Sequence, residues 1–508
     1  MKTANNTAAL AQQLRDWAPL GAQLRQDSRA VQAGDVFVAY SGGVHDGRSH
    51  IKAAFAQGAS AVLADAQGYT SNHSRVLLVA DLKHALGHIA HHYYGKPSQQ
   101  LACVGVTGTN GKSTVTHWVA HMLQNLQAKP AAVLGTLGAG LLGHTHDTGL
   151  TTPHACDTQL FLAQAASLGA GSASIEASSI GLVEGRLNGV SFGVAAFTNL
   201  TQDHLDYHGD MAAYAQAKRS LFDWEGLHTA VVNVDDTTGA QLARELSVQR
   251  PELNIITIGI EASAQLTASA ITPQPDASQR FTVHYQGHSA DACLPALGAF
   301  NVANALTAIG CCLALGHSLN EVFKQLPFLT GVAGRMQVVG DAAHSHQPLV
   351  VVDYAHTPDG LEQCLQALRP IAIARKGALH ALFGCGGDRD ASKRPLMGAV
   401  AQRLADIITI TNDNPRSEDP SVIAAHIASA APKARIELNR AAAIQQAVFN
   451  AAAADVILIA GKGHETTQTI AGVSQPFSDV AQAQAALSNL SALSVLNQRR
   501  AVSLQVQA

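Results

Sequence analysis

Short apolar runs alternate with longer amphipathic stretches along most of the chain. Near the start, residues 36–38, 61–63 and 76–79 form such runs, and helix-like stretches separate them. This alternation is typical of α/β domains, because each strand and helix buries an apolar face. We therefore predict a small N-terminal α/β domain over residues 1–97, where a Gly-Lys-Pro sequence closes the segment.

A second block of alternation begins after residue 97. Residues 101–106 predict a strand that leads through a glycine-rich turn into an amphipathic helix. Further strand-like runs at 131–134, 194–197 and 230–234 are again separated by helical patterns. Helices between successive strands favour a mostly parallel sheet with helices on both faces. The pattern predicts a central domain over residues 98–333.

The same alternation restarts near residue 349. Strand-like runs lie at 349–352, 378–383, 406–411 and 455–460, with alanine-rich helical stretches between them. Each run ends in a polar loop that contains Gly or Pro, and open α/β sheets bind ligands at such strand ends. We therefore predict a C-terminal α/β domain over residues 334–508 and a three-domain α/β fold overall.

Composition narrows the class of protein. The length of 508 residues fits about three domains at roughly 150 residues each. Hydrophobic residues at 47% and charged residues at 14% exclude a disordered chain. A net charge of −4 without any basic block argues against nucleic-acid binding.

Targeting signals and cysteine spacing narrow the class of protein further. Every apolar stretch is shorter than the roughly 18 residues that a membrane-spanning helix needs. Residues 1–17 do not have the charged and then apolar order of a signal peptide, so we expect a cytoplasmic protein. The seven cysteines form no Cys-x-x-Cys pair, which favours reduced packing thiols over disulfides or a zinc site.

The glycine-rich turn has the composition of a phosphate-binding loop. It reads VGVTGTNGKST over residues 104–114, between a predicted strand and a predicted helix. Glycines let backbone N–H groups surround phosphate oxygens, while Lys and Ser serve the terminal phosphates and Mg²⁺. The strict pattern requires Gly where this chain has Val106. The context still predicts nucleotide phosphate binding by Gly108, Thr109, Asn110, Gly111, Lys112, Ser113 and Thr114.

This loop resembles the ATP loop of the Mur ligase family of ATP-dependent amide-forming enzymes. Seven further stretches resemble family motifs in the same order: 198–209, 214–218, 298–304, 334–336, 353–359, 413–416 and 461–465. The resemblance covers nearly the whole chain. It implies a UDP-sugar-binding first domain, a central domain similar to P-loop ATPases, and a Rossmann-like third domain that binds an amino acid.

The resemblance is strongest to the branch that adds the third residue of the peptidoglycan stem peptide. It implies a monomer that uses ATP to join UDP-MurNAc-L-Ala-D-Glu to meso-diaminopimelate through an acyl phosphate, with neither nucleic acid nor membrane as partner. Two related alternatives stay open: the same chemistry with L-lysine, and a folylpolyglutamate synthetase. A nucleotide-dependent switch or binding protein is the alternative from another class.

Acyl-phosphate chemistry demands neutralisation of several anionic oxygens, for which Mg²⁺ with hard oxygen ligands is suited. From the residues alone, Glu176 at a predicted strand end is a candidate. His204 is more typical of a structural or surface histidine, and Lys218 of an ordinary exposed lysine. The resemblance changes this picture. It implies catalytic roles for Lys112, Lys218, His204 and Asp353, metal contacts from Ser113, Glu176, His204 and Lys218, and a CO₂-derived carbamate (N6-carboxylysine) on Lys218.

The resemblance also implies three sets of binding residues. Further ATP contacts are Asn301, Arg335 and His356. Contacts to the UDP-MurNAc-dipeptide are Ser28, Gly43, Val44, His45, Thr151, Thr152, Ser178, Glu184 and Arg186. Contacts to diaminopimelate are Arg389, Asp413, Asn414, Pro415, Arg416, Gly461 and Glu465.

Arg416 favours diaminopimelate over lysine as the amine. Diaminopimelate has one more carboxylate than lysine, and the planar guanidinium of Arg suits a carboxylate. An Arg left unpaired in a lysine pocket would be costly. Two positions depart from the family pattern: Leu150 stands where a polar residue is expected, and Glu184 stands where Gln is expected.

Overall fold

The computed structural model describes residues 7–42, 46–274, 278–329, 331–340 and 346–506. It divides into two compact units. The described residues of Met1–Leu200 form the first unit together with Tyr207–Ile258 and Thr307–Val322. The second unit consists of Thr201–Asp206, Gly259–Leu306 and the described part of Phe323–Ala508.

The first unit begins with a four-stranded parallel sheet in the order β1-β2-β3-β4. Alternate residues of its strands pack into different clusters, as the two-residue period of a strand requires. Val36 and Val38 pack with residues of α1 and α3, whereas Phe37 packs with residues of α2. The elements are α1 Thr7–Trp17, β1 Leu24–Arg25, β2 Val36–Ala39, α2 Ile51–Ala56, β3 Ala61–Asp65, β4 Val76–Val79 and α3 Leu82–Tyr93.

A second sheet of the first unit has the strand order β8-β7-β6-β9-β5-β10-β11-β12. Six of these strands are parallel, namely β6, β9, β5, β10, β11 and β12. At the edge beside β6, the strands β7 and β8 extend the sheet with antiparallel pairing. The strands and helices from 102 to 183 are β5 Ala102–Thr107, α4 Lys112–Gln127, β6 Ala131–Gly135, β7 Gly138–Leu141, β8 His144–His146, α5 Ala155–Ser167, β9 Ser172–Glu176 and α6 Ser179–Val183. Those from 194 to 259 are β10 Val194–Phe197, α7 Leu205–His208, α8 Met211–Arg219, β11 Thr229–Asn233, α9 Thr237–Gln249 and β12 Asn254–Gly259.

Three antiparallel strands, which the sequence did not predict, open the long part of the second unit. They are β13 Leu266–Pro273, β14 Gln279–Tyr285 and β15 His288–Leu294. Two helices follow, α10 Ala299–Ala314 and α11 Leu319–Phe323, and they cross the division between the units.

The second unit also contains a six-stranded sheet in the order β16-β17-β21-β18-β19-β20. Only β16 runs antiparallel within this sheet. Its first elements are β16 Gln337–Val339, β17 Leu349–Asp353, α12 Pro358–Arg375, β18 Leu379–Phe383, α13 Lys393–Leu404, β19 Ile407–Ile410 and α14 Pro420–Ala428. The remaining elements are β20 Arg435–Ile436, α15 Arg440–Asn450, β21 Val456–Ala460, the hairpin β22 Thr467–Ile470 and β23 Val473–Pro476, and α16 Asp479–Val506.

The strands predicted from apolar runs are confirmed to within two residues at each end, and the α/β fold class is confirmed. Six of the seven cysteines are buried and all are free, in agreement with a packing role. Across the described residues, every helix is too short or too polar to span a bilayer. The boundaries 1–97, 98–333 and 334–508 stay predictions.

Candidate active site

The predicted phosphate loop joins the central strand β5 to the start of α4. Its glycines adopt backbone conformations that other residues rarely take, with φ of 148° at Gly108 and 85° at Gly111. A Cβ on Gly108 would collide with the side chain of Thr198. The backbone therefore requires glycine here, and the loop precedes a helix N-terminus as an anion site does.

Two residues that follow β10 hold this loop in place. The backbone N–H of Asn110 donates to Asn199 Oδ1 at 2.8 Å, and Asn199 Nδ2 donates back to the Asn110 carbonyl at 3.2 Å. Thr198 Oγ1 donates to the same carbonyl at 2.6 Å. The sequence alone assigned no role to Thr198 or Asn199, although they begin one of the family-like motifs.

Two lysines converge on the carbonyl of Gly108. Lys112 Nζ donates to Gly108 O at 3.0 Å and to Thr109 O at 2.8 Å. Lys218 lies on α8 with its side chain buried, and its Nζ donates to Gly108 O at 2.8 Å. Tyr214, one turn earlier, places its hydroxyl 3.2 Å from Thr109 Oγ1. The structure thus brings together two of the residues predicted to be catalytic.

Glu176 ends β9 and is fully buried at 0% exposure. It pairs in register with Val106 of β5, two residues before Gly108. Its Oε1 accepts from the N–H of Thr136 at 2.9 Å, and its Oε2 accepts from Thr136 Oγ1 at 3.2 Å. The Thr136 hydroxyl also lies 3.0 Å from that of Thr151. The carboxylate is therefore fixed beside the strand that leads into the phosphate loop.

The predicted dipeptide contacts form a connected set around Thr152. Thr152 Oγ1 donates to the carbonyl of Glu176 at 2.8 Å and lies 2.8 Å from Ser178 Oγ. Arg186 Nη1 donates to the carbonyl of Thr152 at 2.8 Å. The Arg186 Nε also donates to Glu184 Oε2 at 2.8 Å. Glu184, one of the two departures from the family pattern, is thus the ion-pair partner of Arg186.

The predicted uridine contacts are only partly described. Ser28 begins a 3₁₀ helix whose cap is Asp27, and that carboxylate accepts from the backbone N–H of Arg29 at 2.9 Å. The Arg29 side chain lowers the pKa of Asp27 to about 2 by hydrogen bonding. Gly43, Val44 and His45 lie outside the described residues.

In the second unit, Asp353 ends β17 and is buried. Its carboxylate accepts from the N–H groups of Met336 at 2.6 Å and Ala355 at 2.7 Å. Burial raises the pKa of Asp353, and the Arg335 guanidinium opposes that shift. Burial lowers the pKa of His356 to about 4, so its imidazole is neutral near pH 7. The charge of Arg335 therefore acts on both Asp353 and His356, so these three predicted residues lie near one another.

His204 and Asn301 also belong to the second unit. His204 has a left-handed backbone with φ of 54°, and its Nε2 lies 3.5 Å from Asp203 Oδ2. Asn301 is buried on α10, where its Nδ2 donates to the carbonyl of Leu297 at 2.7 Å. Its Oδ1 accepts from Asn304 Nδ2 at 3.0 Å, so part of its hydrogen-bonding capacity is used within the fold.

Four of the predicted diaminopimelate contacts lie in the loop after β19. Burial raises the pKa of Asp413, and the positive charges of Arg440 and Lys462 oppose that rise. Asn414 Nδ2 donates to Glu465 Oε2 at 2.7 Å, which joins this loop to the loop after β21. Arg416 has φ of 54°, and its Nη1 donates to the carbonyl of Gly387 at 2.7 Å. Pro415 lies between them.

Besides Glu465, two further predicted contacts, Arg389 and Gly461, lie in loops beside that loop. Arg389 is exposed, and its Nη1 donates to the carbonyl of Asp388 at 3.3 Å. Gly461 has φ of 117°, and a Cβ there would collide with the carboxylate of Asp413. Asn414, Arg416 and Glu465 thus lie on connected loops at the carboxyl ends of β19 and β21, where an open sheet binds ligands.

Within the described ranges, no three His, Cys, Asp or Glu side chains are grouped closely enough to hold a metal ion by themselves. The donors near the phosphate loop are one buried carboxylate, Glu176, and the buried hydroxyl of Ser113. Mg²⁺ sites in nucleotide enzymes use one or two carboxylates plus phosphate oxygens and waters. The residues present fit an ion that binds together with ATP.

Three family models match successive stretches of the chain. Residues 23–94 match the Mur ligase family, catalytic domain. Residues 106–312 match the Mur ligase middle domain. Residues 334–463 match the Mur ligase, glutamate ligase domain. The chain belongs to the Mur ligase family, and it has that family's three-domain α/β architecture.

Individual relatives indicate one branch of the Mur ligase family. A protein of Acidovorax sp. named UDP-N-acetylmuramoyl-L-alanyl-D-glutamate--2,6-diaminopimelate ligase is 46% identical over 95% of this chain and 98% of its own length. A Ralstonia nicotianae protein of the same name is 46% identical over 93% of this chain and 94% of its own. A solved structure with that name has a TM-score of 0.66 and 34% identity, and the match covers 94% of this chain and 98% of that one.

Proposed function

We propose that this chain is an ATP-dependent ligase that joins meso-diaminopimelate to UDP-N-acetylmuramoyl-L-alanyl-D-glutamate in peptidoglycan precursor synthesis. The observation that carries the proposal is the near full-length match, at 46% identity, to relatives of that name. The phosphate loop with Lys112 and the carboxylate-binding chemistry of Arg416 support it. The use of ATP favours a cytoplasmic enzyme, and we propose a monomer, which sedimentation equilibrium tests.

The chemistry proceeds in two substitutions. A carboxylate oxygen of the D-glutamyl residue attacks the γ-phosphorus of ATP, and ADP leaves with the electrons of the broken P–O bond. The amine nitrogen of diaminopimelate then attacks the acyl carbon, inorganic phosphate leaves, and the nitrogen loses a proton. Lys112 and the N–H groups of the phosphate loop stabilise the charge that develops on the phosphoryl oxygens.

Mg²⁺ would supply further neutralisation of the phosphate charge when bound. Ser113 and Glu176 offer the hard oxygen donors that Mg²⁺ prefers. A lysine ammonium has no lone pair to donate, so Lys218 serves as a ligand only as its carbamate, which has two oxygens. We propose these three residues and His204 as the protein ligands.

The nucleotide and the dipeptide have separate proposed contacts. Asn301, Arg335 and His356 bind ATP, and Asp353 holds the segment that contains Arg335 by accepting the N–H of Met336. On the dipeptide side, Arg186 is oriented by Glu184 and by the carbonyl of Thr152. Its guanidinium suits an anionic group of the substrate. The other proposed UDP-MurNAc-dipeptide contacts are Ser28, Gly43, Val44, His45, Thr151, Thr152, Ser178 and Glu184.

Selection of the amine rests on the loop at residues 413–416. We propose that the Arg416 guanidinium, with Arg389, binds the distal carboxylate that lysine lacks. Glu465 pairs with the distal ammonium. The remaining proposed contacts are Asp413, Asn414, Pro415 and Gly461.

Release of ADP by the purified protein tests the proposal. The assay contains UDP-MurNAc-L-Ala-D-Glu, Mg²⁺ and ATP with meso-diaminopimelate, L-lysine or no amine. Turnover with diaminopimelate alone is expected. Equal turnover with lysine would overturn the amine assignment, and release without any amine would favour a nucleotide switch. A protein inactive in all three reactions would be assayed next with folate substrates.

A further inference from the structure

A fully buried lysine lies beside the proposed diaminopimelate contacts. Lys462 follows β21, and its side chain is 0% exposed. Its Nζ donates to Glu465 Oε2 at 2.7 Å and to Asn414 Oδ1 at 3.0 Å. Asn414 Nδ2 donates to the same Glu465 oxygen at 2.7 Å. The three side chains form a closed triangle within the second unit.

The triangle is anchored to the backbone on one side and leaves one oxygen uncommitted on the other. Asn414 Oδ1 also accepts from the N–H of Thr469 at 3.0 Å, and Gln468 Nε2 donates to the carbonyl of Asp413 at 2.8 Å. Both hydrogen bonds tie the loop of residues 413–416 to β22. Among the described residues, none donates a hydrogen bond to Glu465 Oε1. That oxygen is therefore the one that remains for a ligand.

We infer that Lys462 is a positioning residue that sets the orientation of Glu465 and Asn414 for the distal ammonium of the amine substrate. This inference rests on the proposed function. Two donors on Oε2 hold the carboxylate in one orientation, and the adjacent ammonium offsets part of its charge in a partly buried site. A carboxylate held in this way does not lose rotational freedom when the substrate binds, so it binds more tightly.

The test is steady-state kinetics of Lys462→Met with each substrate varied in turn. The KM for meso-diaminopimelate is expected to rise at least about tenfold, the scale on which loss of a charge-assisted hydrogen bond weakens binding. The KM values for ATP and for UDP-MurNAc-L-Ala-D-Glu, and kcat, are expected to change less than about threefold, because Asn414 and Glu465, which accept the hydrogen bonds of Lys462 Nζ, both belong to the proposed amine subsite. Lys433→Met, at an exposed lysine of the same unit, is the matched control.

A double-mutant cycle separates positioning from packing. If Lys462 acts through Glu465, adding Lys462→Met to Glu465→Gln raises the KM for diaminopimelate little beyond the single Glu465→Gln effect. Independent, multiplicative effects of the two substitutions would overturn the inference. So would an unchanged KM in a folded Lys462→Met variant, or a parallel rise in all three KM values.

A second substitution tests the inference if Lys462→Met does not fold. If circular dichroism shows Lys462→Met to be unfolded, Lys462→Gln is measured instead, because its amide retains a donor while losing the charge. Its KM for diaminopimelate is expected to rise by a smaller factor, and an unchanged value would overturn the inference. A wild-type protein that does not turn over diaminopimelate would refute the proposed function itself, whereas normal wild-type turnover with an unaffected variant would refute only the role of Lys462.

Discussion

The buried Nζ of Lys218 donates a 2.8 Å hydrogen bond to the carbonyl oxygen of Gly108, the residue that directly follows β5 in the phosphate loop. The same nitrogen lies 4.3 Å from the ring centroid of Tyr214. Both contacts favour a cation. A carbamate carries negative charge and would be repelled by the same carbonyl, so the two forms of Lys218 need different neighbours.

Lys218→Arg should lower kcat at least about 100-fold, the scale of losing a major electrostatic contributor to catalysis. The arginine keeps a positive charge but does not form the carbamate. NMR of protein equilibrated with ¹³C-bicarbonate should show a carbamate signal in the wild type that is absent from the variant. Lys129→Arg, at an exposed lysine, is the control. Full activity of Lys218→Arg would contradict a carbamate role.

Arg416→Ala should reduce kcat/KM for meso-diaminopimelate by about 10- to 100-fold, since it removes a charge-assisted contact to the distal carboxylate. The value for L-lysine should fall much less or rise, because lysine lacks that carboxylate. The discrimination ratio between the two amines, measured by ADP release, is the readout. Equal losses for both amines would point to a role of Arg416 in holding its own loop, through its bond to Gly387.

Asp479→Asn should lower the free energy of unfolding by about 3–5 kcal/mol. Asp479 and Arg440 form an ion pair with both side chains 0% exposed, and the substitution leaves the buried guanidinium without the carboxylate that accepts its hydrogen bonds. The double variant Arg440→Met/Asp479→Leu should recover much of that loss in urea titrations. Arg369→Met breaks the more exposed pair with Asp406 and should cost less than about 1 kcal/mol. A cost for Asp479→Asn as small as that would refute the argument.

His91 should make stability depend on pH. Burial is the main cause that lowers its pKa from 6.5 to about 4. Between pH 4 and 6.5 the unfolded state then binds more protons than the folded state, so the free energy of unfolding falls as the pH drops from 6.5 to 4. The contribution of His91 to that free energy is complete above pH 6.5. Thermal melts of His91→Phe should show a smaller fall than the wild type. His144→Asn, at an exposed histidine, should melt like the wild type throughout.

Local patterns were sufficient to predict about half of the strands, because most of the fully buried strands are continuous apolar runs. The phosphate loop was predictable for a similar reason, since all its elements lie within residues 104–114. Asn199 and Lys462 were not predicted. Their partners Asn110 and Asn414 lie 89 and 48 positions away, so the pairing depends on which strands become neighbours. The antiparallel strands β13–β15 were not predicted, because no helix separates them and the strand–helix alternation therefore does not indicate them.

The hold of Asn199 on Asn110 bears on how the nucleotide binds. A flexible glycine-rich loop would lose conformational entropy on closing around the phosphates, and that loss would weaken affinity. Here the backbone of Thr109 and Asn110 is already fixed by hydrogen bonds to Asn199. If ATP binds here as proposed, the shape of the loop is already set by the segment after β10, and most of the binding energy remains available for affinity.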